Sequence, residues 1–385
     1  MGRGVRVAAA VGLAAFVAGG AFCLLKHRPL TFLVGDGPYY AATAVSILHD
    51  HDLDLRNQLR GGLEVHGRQI ALGQDGAWYP KHPILMPVTA LPFLAAFGMD
   101  GFLLFNLVVF GAVAAVMTLL ARRHASTGPA VAAVAVLLLG TFFRDYVYNL
   151  SPDLFATLLF LLASLALFEE RLLGAGLALG AAVAAKILLV VLVPVVAVAA
   201  FASRGRRGGA RLALGLAPAA LALLATNAAL FGSPFVTSYD RGVSVASGQE
   251  QLITHRTQFD GDFARGLLGE LADPRHGILP TAPVVLLVVP GLLLLGRRHR
   301  TEALFTTAVL VTLLAVLAPY QEWTASHAGN RFLMPAIALL APAMALALGH
   351  LEDRLRRRTF PSGRAGAPPG SEDRPATLDT PVASS

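Results

Sequence analysis

Long apolar runs that alternate with short arginine clusters leave this chain almost no choice of solvent. The runs cover 7–25, 102–121, 128–143, 151–168, 172–202, 212–231, 278–296, 303–319 and 332–349. Most approach the roughly 20 residues that a helix needs to cross roughly 30 Å of hydrocarbon. Between them fall Arg122 with Arg123, Arg204 with Arg206, Arg207 and Arg211, Arg297 with Arg298 and Arg300, and Arg354 with Arg356, Arg357 and Arg358. Such clusters mark cytoplasmic ends. Hydrophobic residues make up 55% of the 385 and charged ones only 14%, too apolar a balance for soluble domains.

Arg3 and Arg6 precede the first run and put its amino end in the cytoplasm; a cleaved signal peptide is the rival reading. Lys26 and Arg28 break the charge rule there, so orientation rests on the later clusters. As one helix, the run 172–202 would be about 46 Å long and would put Arg171 and the Arg204 cluster on opposite faces. Two short spans turning near Lys186 remove both faults. The expected architecture is therefore an all-α integral membrane protein of about ten transmembrane helices, with both termini cytoplasmic. Its outer segments are 26–101, 144–150, 232–277 and 320–331. Residues 1–351 form the polytopic domain, and 352–385 a basic and then disordered cytoplasmic tail, rich in Pro, Gly, Ser and Ala from residue 359. No internal repeat is visible, which weakens an inverted-repeat transporter reading.

The composition also excludes several kinds of function. Cys23 is the single cysteine, so neither a disulfide framework nor a thiolate metal site is available. The net charge of +7 comes from arginines clustered between apolar runs with no aromatic platform among them, so topology explains it better than nucleic acid does.

Within the first outer loop, Gly35, Asp36, Gly37, Pro38, Tyr39 and Tyr40 form a polar break just past the first run. Asp36 reads in two ways: as the cap of a helix opening at Pro38, worth about 1 kcal/mol, or as a catalytic base at the outer face. Residues 38–49 are expected to lie along the interface, and 82–99, with Pro83, Pro87 and Pro92, to form an interfacial or broken helix. Ser151, Pro152 and Asp153 make a good helix start, and Asp153 doubles as a candidate second carboxylate. Asp145 beside Arg144 is its understudy, read mainly as a local ion pair. Arg331, with Arg241 and Lys186 behind it, suits the oxygens of a phosphate, and a lysine at membrane depth is costly unless it meets an anion. Lys186 reads equally as a snorkelling residue. Tyr39 and Tyr40 serve as interfacial anchors or substrate contacts, and Tyr320 and Trp323 as boundary residues or a pocket lining. His82, His255 and His327 lie in separate outer segments without paired helical spacing, a weak metal set.

The order of these features resembles a known family. Asp36 and Tyr39 are followed by Leu48, Asp50, Asp52, Leu53, Asp54, Leu55 and Asn57, then by Lys81, His82 and Pro83, and by Ser151, Pro152 and Asp153. Further on come Gly232, Ser233, Pro234 and Phe235 with Tyr239, Arg241 and Gly242, and last Asn330, Arg331, Phe332, Leu333 and Pro335. From about residue 30 to 350 the chain resembles the GT-C membrane glycosyltransferases, the group that includes protein O-mannosyltransferases and the aminoarabinose transferases of lipid A. The resemblance implies a hexosyl- or pentosyltransferase of the bacterial plasma membrane that moves a sugar from a polyprenyl-phosphate donor to an extracytoplasmic glycan, lipid or protein. Asp36 and Asp153 would then be catalytic, Arg331, Arg241 and Lys186 would hold the donor phosphate, and Tyr39, Tyr40, Lys81 and His82 would contact substrate. The family usually shows a second acidic residue directly after the first, and Gly37 stands there instead, which argues against a bound divalent metal. No cofactor is expected. The alternative function is a transporter or flippase of a lipid-linked sugar, which needs the cations but no base.

Overall fold

The computed structural model describes residues 2–26, 33–60, 69–246, 249–253, 256–324 and 329–359. The described residues up to Gly349 form one compact unit, and those from His350 on belong to a second. The first apolar run is a single helix, α1 (Arg3–Lys26). The segment after it contains α2 (Gly37–Val45), a π-helical turn at Ser46–Asp50, α3 (Arg56–Arg60), strands β1 (Ile70–Leu72) and β2 (Trp78–Pro80), and α4 (Leu85–Phe97). Pro38 opens α2 with its φ already helical, and the π turn stops at His51, whose φ is +60°. With Pro92 inside it, α4 is only 13 residues, about 20 Å and short of the hydrocarbon thickness.

The bundle proper comprises α5 (Asp100–Arg122), α6 (Thr127–Leu139), α7 (Pro152–Phe168), α8 (Leu172–Ala185) and α9 (Val193–Phe231). After α9 come β3 (Gly242–Ala246), β4 (Gln249–Ile253), α10 (Phe263–Ala272), α11 (Ile278–Thr281), α12 (Val288–Arg298), α13 (Arg300–Leu317), α14 (Met334–Leu339) and α15 (Ala341–Thr359). Its core is centred on α5 and α7, where Phe102, Met117 and Phe160 are fully buried.

The break expected near Lys186 is present. Helix α8 ends at Ala185, Lys186 is extended, and a 3-10 stretch at Ile187–Leu192 leads into α9. A second break, at Arg204 and Gly205 among the arginines, folds 172–231 into three legs. Helix α8 crosses the last leg through Gly176 and Gly215. A Cβ on Gly176 would stand 2.2 Å from the Leu212 carbonyl oxygen, and one on Gly215 2.3 Å from that of Leu173. Small residues at a crossing let helix backbones approach where apolar side chains gain nothing over lipid.

The expected count of ten spans rested on hydropathy and on the placing of the arginine clusters. Each of the ten segments is helical over part of its length. Among the described residues, however, four helical stretches are long and apolar enough to cross a membrane: α1, α5, Ile187–Phe231 and α13. A fifth is added if Arg331–Leu339 and Ala341–Arg356 make one bent span. Helices α4, α6, α7 and α8 are apolar but shorter.

The loops 26–101 and 232–277 also hold a small sheet that the all-α reading did not contain. Its order is β2-β1-β3-β4 and every pair is antiparallel, with Ile70 opposite Pro80 on one side and Val243 on the other. Loop 26–101 is thereby stitched to loop 232–277. Beneath it, Tyr39, Ala42, Leu55, Leu59, Ile70, Trp78 and Val243 form a second, smaller core. That core fixes α2, and α2 presents Asp36.

Candidate active site

Asp36 immediately precedes α2, yet its side chain makes no capping hydrogen bond. The carboxylate faces the opposite end of the chain: Arg331 Nη2 donates to Oδ2 at 2.8 Å, and His82 Nε2 lies 3.5 Å from Oδ1. Capping therefore does not account for an acid at this position. Burial alone would raise this carboxyl, but the charges of Arg331 and His82 outweigh it and hold the group well below the usual carboxylate range.

Asp153 begins α7, where the Ser151 hydroxyl accepts from its backbone N–H, so here the helix-start reading holds as well. Its side chain is almost fully enclosed. Lys186 Nζ pairs with Oδ1, and Arg331 Nη1 stands 3.7 Å from Oδ2. The break after α8 delivers the lysine, since a helix continuing through 186 would carry that side chain elsewhere. The Lys186 ammonium also lies 4.4 Å from the centroid of the Phe332 ring, and the Arg331 guanidinium 5.2 Å from the same ring. Arg331 is thus wedged between two carboxylates, in the order Lys186, Asp153, Arg331, Asp36, His82. Its Nε has no partner among the described residues.

His82 is held on several sides. Its Nε2 is 2.7 Å from Gln69 Oε1, its Nδ1 is 3.2 Å from the Tyr239 hydroxyl, and its ring stacks on Tyr40 at 5.4 Å. Lys81 is buried, with Nζ 5.4 Å from the centroid of the Tyr239 ring. Burial, and next the charge of Asp36, push the Tyr40 and Tyr239 phenols up, so both remain neutral donors.

These groups face one cavity of about 520 Å³, lined by Asp36, Asp153, Lys81, Lys186 and Arg331 among others. Two carboxylates and three cations on one wall suit a ligand that is anionic at one end and rich in hydroxyls at the other.

No family model and no curated protein matches the sequence. Among solved structures, the chain is similar to ArnT from Cupriavidus metallidurans bound to undecaprenyl phosphate, with a TM-score of 0.55 over 93% of this chain and 61% of that one at 14% identity. It is also similar to the apo state of the same protein, with a TM-score of 0.54 over the same shares at 15% identity. The fold is ArnT-like. The chain spans 61% of the length of the ArnT chain. Its long apolar helices make this a membrane protein.

Eight of the candidates named from the sequence, Asp36, Tyr40, Lys81, His82, Asp153, Lys186, Tyr320 and Arg331, border the cavity. Three do not. Arg241 is not in the lining, and its Nε donates to the Leu72 carbonyl at 3.1 Å, at the junction of β1 and β3. Tyr39 turns into the small loop core, because consecutive residues of α2 point to different faces. Trp323 packs edge-on to His276 at 6.3 Å and borders Gly269. Asp145 pairs loosely with Arg144, 3.8 Å apart, beside a separate pocket. His255 and His327 lie outside the described residues; among those described, no three His, Cys, Asp or Glu side chains could hold a metal.

Gln69, Gln258 and Phe332 also line the cavity. Of these, only Phe332 had a signal in the sequence, as the neighbour of Arg331. The segment carrying Arg331 is held close by Gly329, whose φ is +53° and where a Cβ would stand 2.2 Å from the Phe142 ring. Gly329→Ala is expected to cost at least about 1–2 kcal/mol from the backbone alone. A lowered denaturation midpoint checks this.

Proposed function

We propose that the protein is a membrane glycosyltransferase that moves a sugar from a polyprenyl-phosphate donor to an acceptor hydroxyl at the outer face of the bacterial plasma membrane. The observation that carries the reading is the alternation of Asp36 and Asp153 with Arg331 and Lys186 on one cavity wall, within a GT-C-like fold. The likeness to a structure bound to undecaprenyl phosphate supports the choice of donor. In the step proposed, the acceptor oxygen forms a bond to the anomeric carbon as the bond from that carbon to the phosphate oxygen breaks. Asp36 takes the hydroxyl proton, and the lipid phosphate leaves with the bonding electron pair. Arg331, Lys186 and Lys81 steady the charge that develops on it.

A carboxylate clamped to an arginine is a poor base, because the guanidinium stabilises its charged form. The donor phosphate answers this by competing for Arg331 and so freeing Asp36. Donor binding and base activation are then one event.

The test uses purified protein in lipid with radiolabelled polyprenyl-phosphate sugar and a crude envelope acceptor. Release of free carrier that depends on acceptor supports the enzyme; sugar lipid that crosses the bilayer with its phosphate bond intact would instead mark a flippase. Orientation has its own test. Reporter fusions after positions 60, 125, 208, 255 and 299 are expected to read outside, inside, inside, outside and inside. A cytoplasmic reading at 60 would place Asp36 on the wrong side for a lipid-linked donor.

A further inference from the structure

Glu270 is an acidic residue buried where nothing obvious needs it. It sits on α10, a helix started by Asp262, whose side chain accepts from Arg265 N–H at 2.7 Å. The helix lies against the end of α13 so closely that a Cβ on Gly266 would meet the Ala318 carbonyl oxygen at 1.7 Å. Glu270 is 0% exposed. Its Oε1 accepts a long hydrogen bond, 3.5 Å, from Asn330 Nδ2, and its Oε2 has no partner among the described residues. A buried carboxyl with a single neutral donor and no cation is costly to keep in charged form.

Asn330 gives the position its meaning. It is itself 0% exposed, and its side-chain oxygen accepts from Phe332 N–H at 3.2 Å, capping the one-turn 3-10 helix Arg331–Leu333. One face of the Asn330 amide therefore holds the turn that carries Arg331, and the other face rests on Glu270.

We propose that Glu270 is a positioning residue that acts through Asn330 to aim Arg331 between Asp36 and Asp153. The inference rests on the proposed role of that arginine in holding a donor phosphate. Glu270 works as the neutral acid. Burial raises its carboxyl from the ordinary range to about 8, with the Asn330 hydrogen bond opposing the shift only in part. Among the described residues no ion pair reaches it, Arg275 and His276 on the turn after α10 included. Helix α11 has no ionisable side chain, α13 has only Arg300 and Glu302 in its distant first turn, and the 3-10 turn has Arg331 itself. On α10, Arg265 lies a turn and a half away, and Asp262 and Asp273 flank the helix. Ionised, Glu270 would draw Arg331 away from the cavity.

The experiment measures binding of undecaprenyl phosphate to the full chain in lipid nanodiscs between pH 6.5 and 9.5, for wild type, Glu270→Gln and Glu270→Ala. The glutamine variant has the shape and polarity of the neutral acid, so it is expected to bind as wild type does at pH 7. Above about pH 8 wild type is expected to weaken relative to it by on the order of tenfold to a hundredfold, the scale of a misplaced contact group. Glu270→Ala is expected to be weak at every pH. Parallel pH curves for wild type and Glu270→Gln, or a glutamine variant as weak as the alanine one, would overturn the inference. A double-mutant cycle on denaturation midpoints, Glu270→Gln measured at pH 9 with Arg331→Lys, gives a readout that needs no ligand. Non-additive shifts support the coupling and additive ones refute it. If no variant binds undecaprenyl phosphate, the donor reading fails, and this cycle alone decides the role of Glu270.

Discussion

Asp36→Asn is expected to lower sugar transfer about 10²- to 10⁴-fold, the usual worth of a positioned general base, while leaving donor binding nearly intact. Asparagine keeps the size of the side chain and one oxygen for Arg331, so the cavity wall stays in place. Only the capacity to accept a proton is lost. The pH profile adds a sharper expectation. In the free protein, Arg331 and His82 hold the Asp36 carboxyl well below the usual range, so kcat/KM shows no acid limb from this group at ordinary working pH. Once the donor phosphate engages Arg331, the carboxyl rises toward its ordinary value. An acid limb then appears in kcat at a higher pH than any in kcat/KM. Steady-state rates of carrier release against pH, with and without saturating donor, measure the difference. Turnover in Asp36→Asn equal to wild type would remove the base from Asp36, and identical profiles for the two parameters would remove the coupling to Arg331.

How much of this was legible in the sequence depended on how far apart the partners lie. The helical segments and the break at Lys186 follow from local rules, because a membrane sets the length of an apolar run and arginines its ends. Asp36, between two glycines and before a proline, stands out for the same reason. What could not be read was which way its side chain points, since a cap and a catalytic acid share one local sequence. Arg331 settles that from 295 positions away. The small sheet was missed because β1 has three residues and its partner β3 begins some 170 positions later, so neither strand carries a periodic signal of its own. Arg241 was illegible for the same reason: as a lone arginine it looked free for phosphate, and only the pairing of β1 with β3 shows the carbonyl that its Nε meets away from the cavity lining. Glu270 has no sequence signature, because burial on one face of a short amphipathic helix is decided by what packs against it.

Arg331→Met tests the other half of the site, and its effect on stability should exceed that of Asp36→Asn. The arginine is the only cation among the described ion pairs that contacts both carboxylates. Removing it leaves Asp153 with Lys186, but leaves Asp36 buried with only the half-committed imidazole of His82. Removing one partner of a buried pair costs about 3–5 kcal/mol, mostly the penalty of the stranded charge. Transfer should fall below detection, since the phosphate loses its fork and the base its orientation. Arg331→Lys is not a conservative rescue, because one ammonium cannot span two carboxylates 2.8 and 3.7 Å away in different directions. The decisive variant is the double one, Arg331→Met with Asp36→Asn. It removes the stranded charge and should recover most of the lost denaturation midpoint while recovering none of the transfer. Stability and activity would then part company at this pair. A double variant as unstable as Arg331→Met alone would show that the arginine holds the outer loops together by packing, and that the carboxylate it faces is incidental.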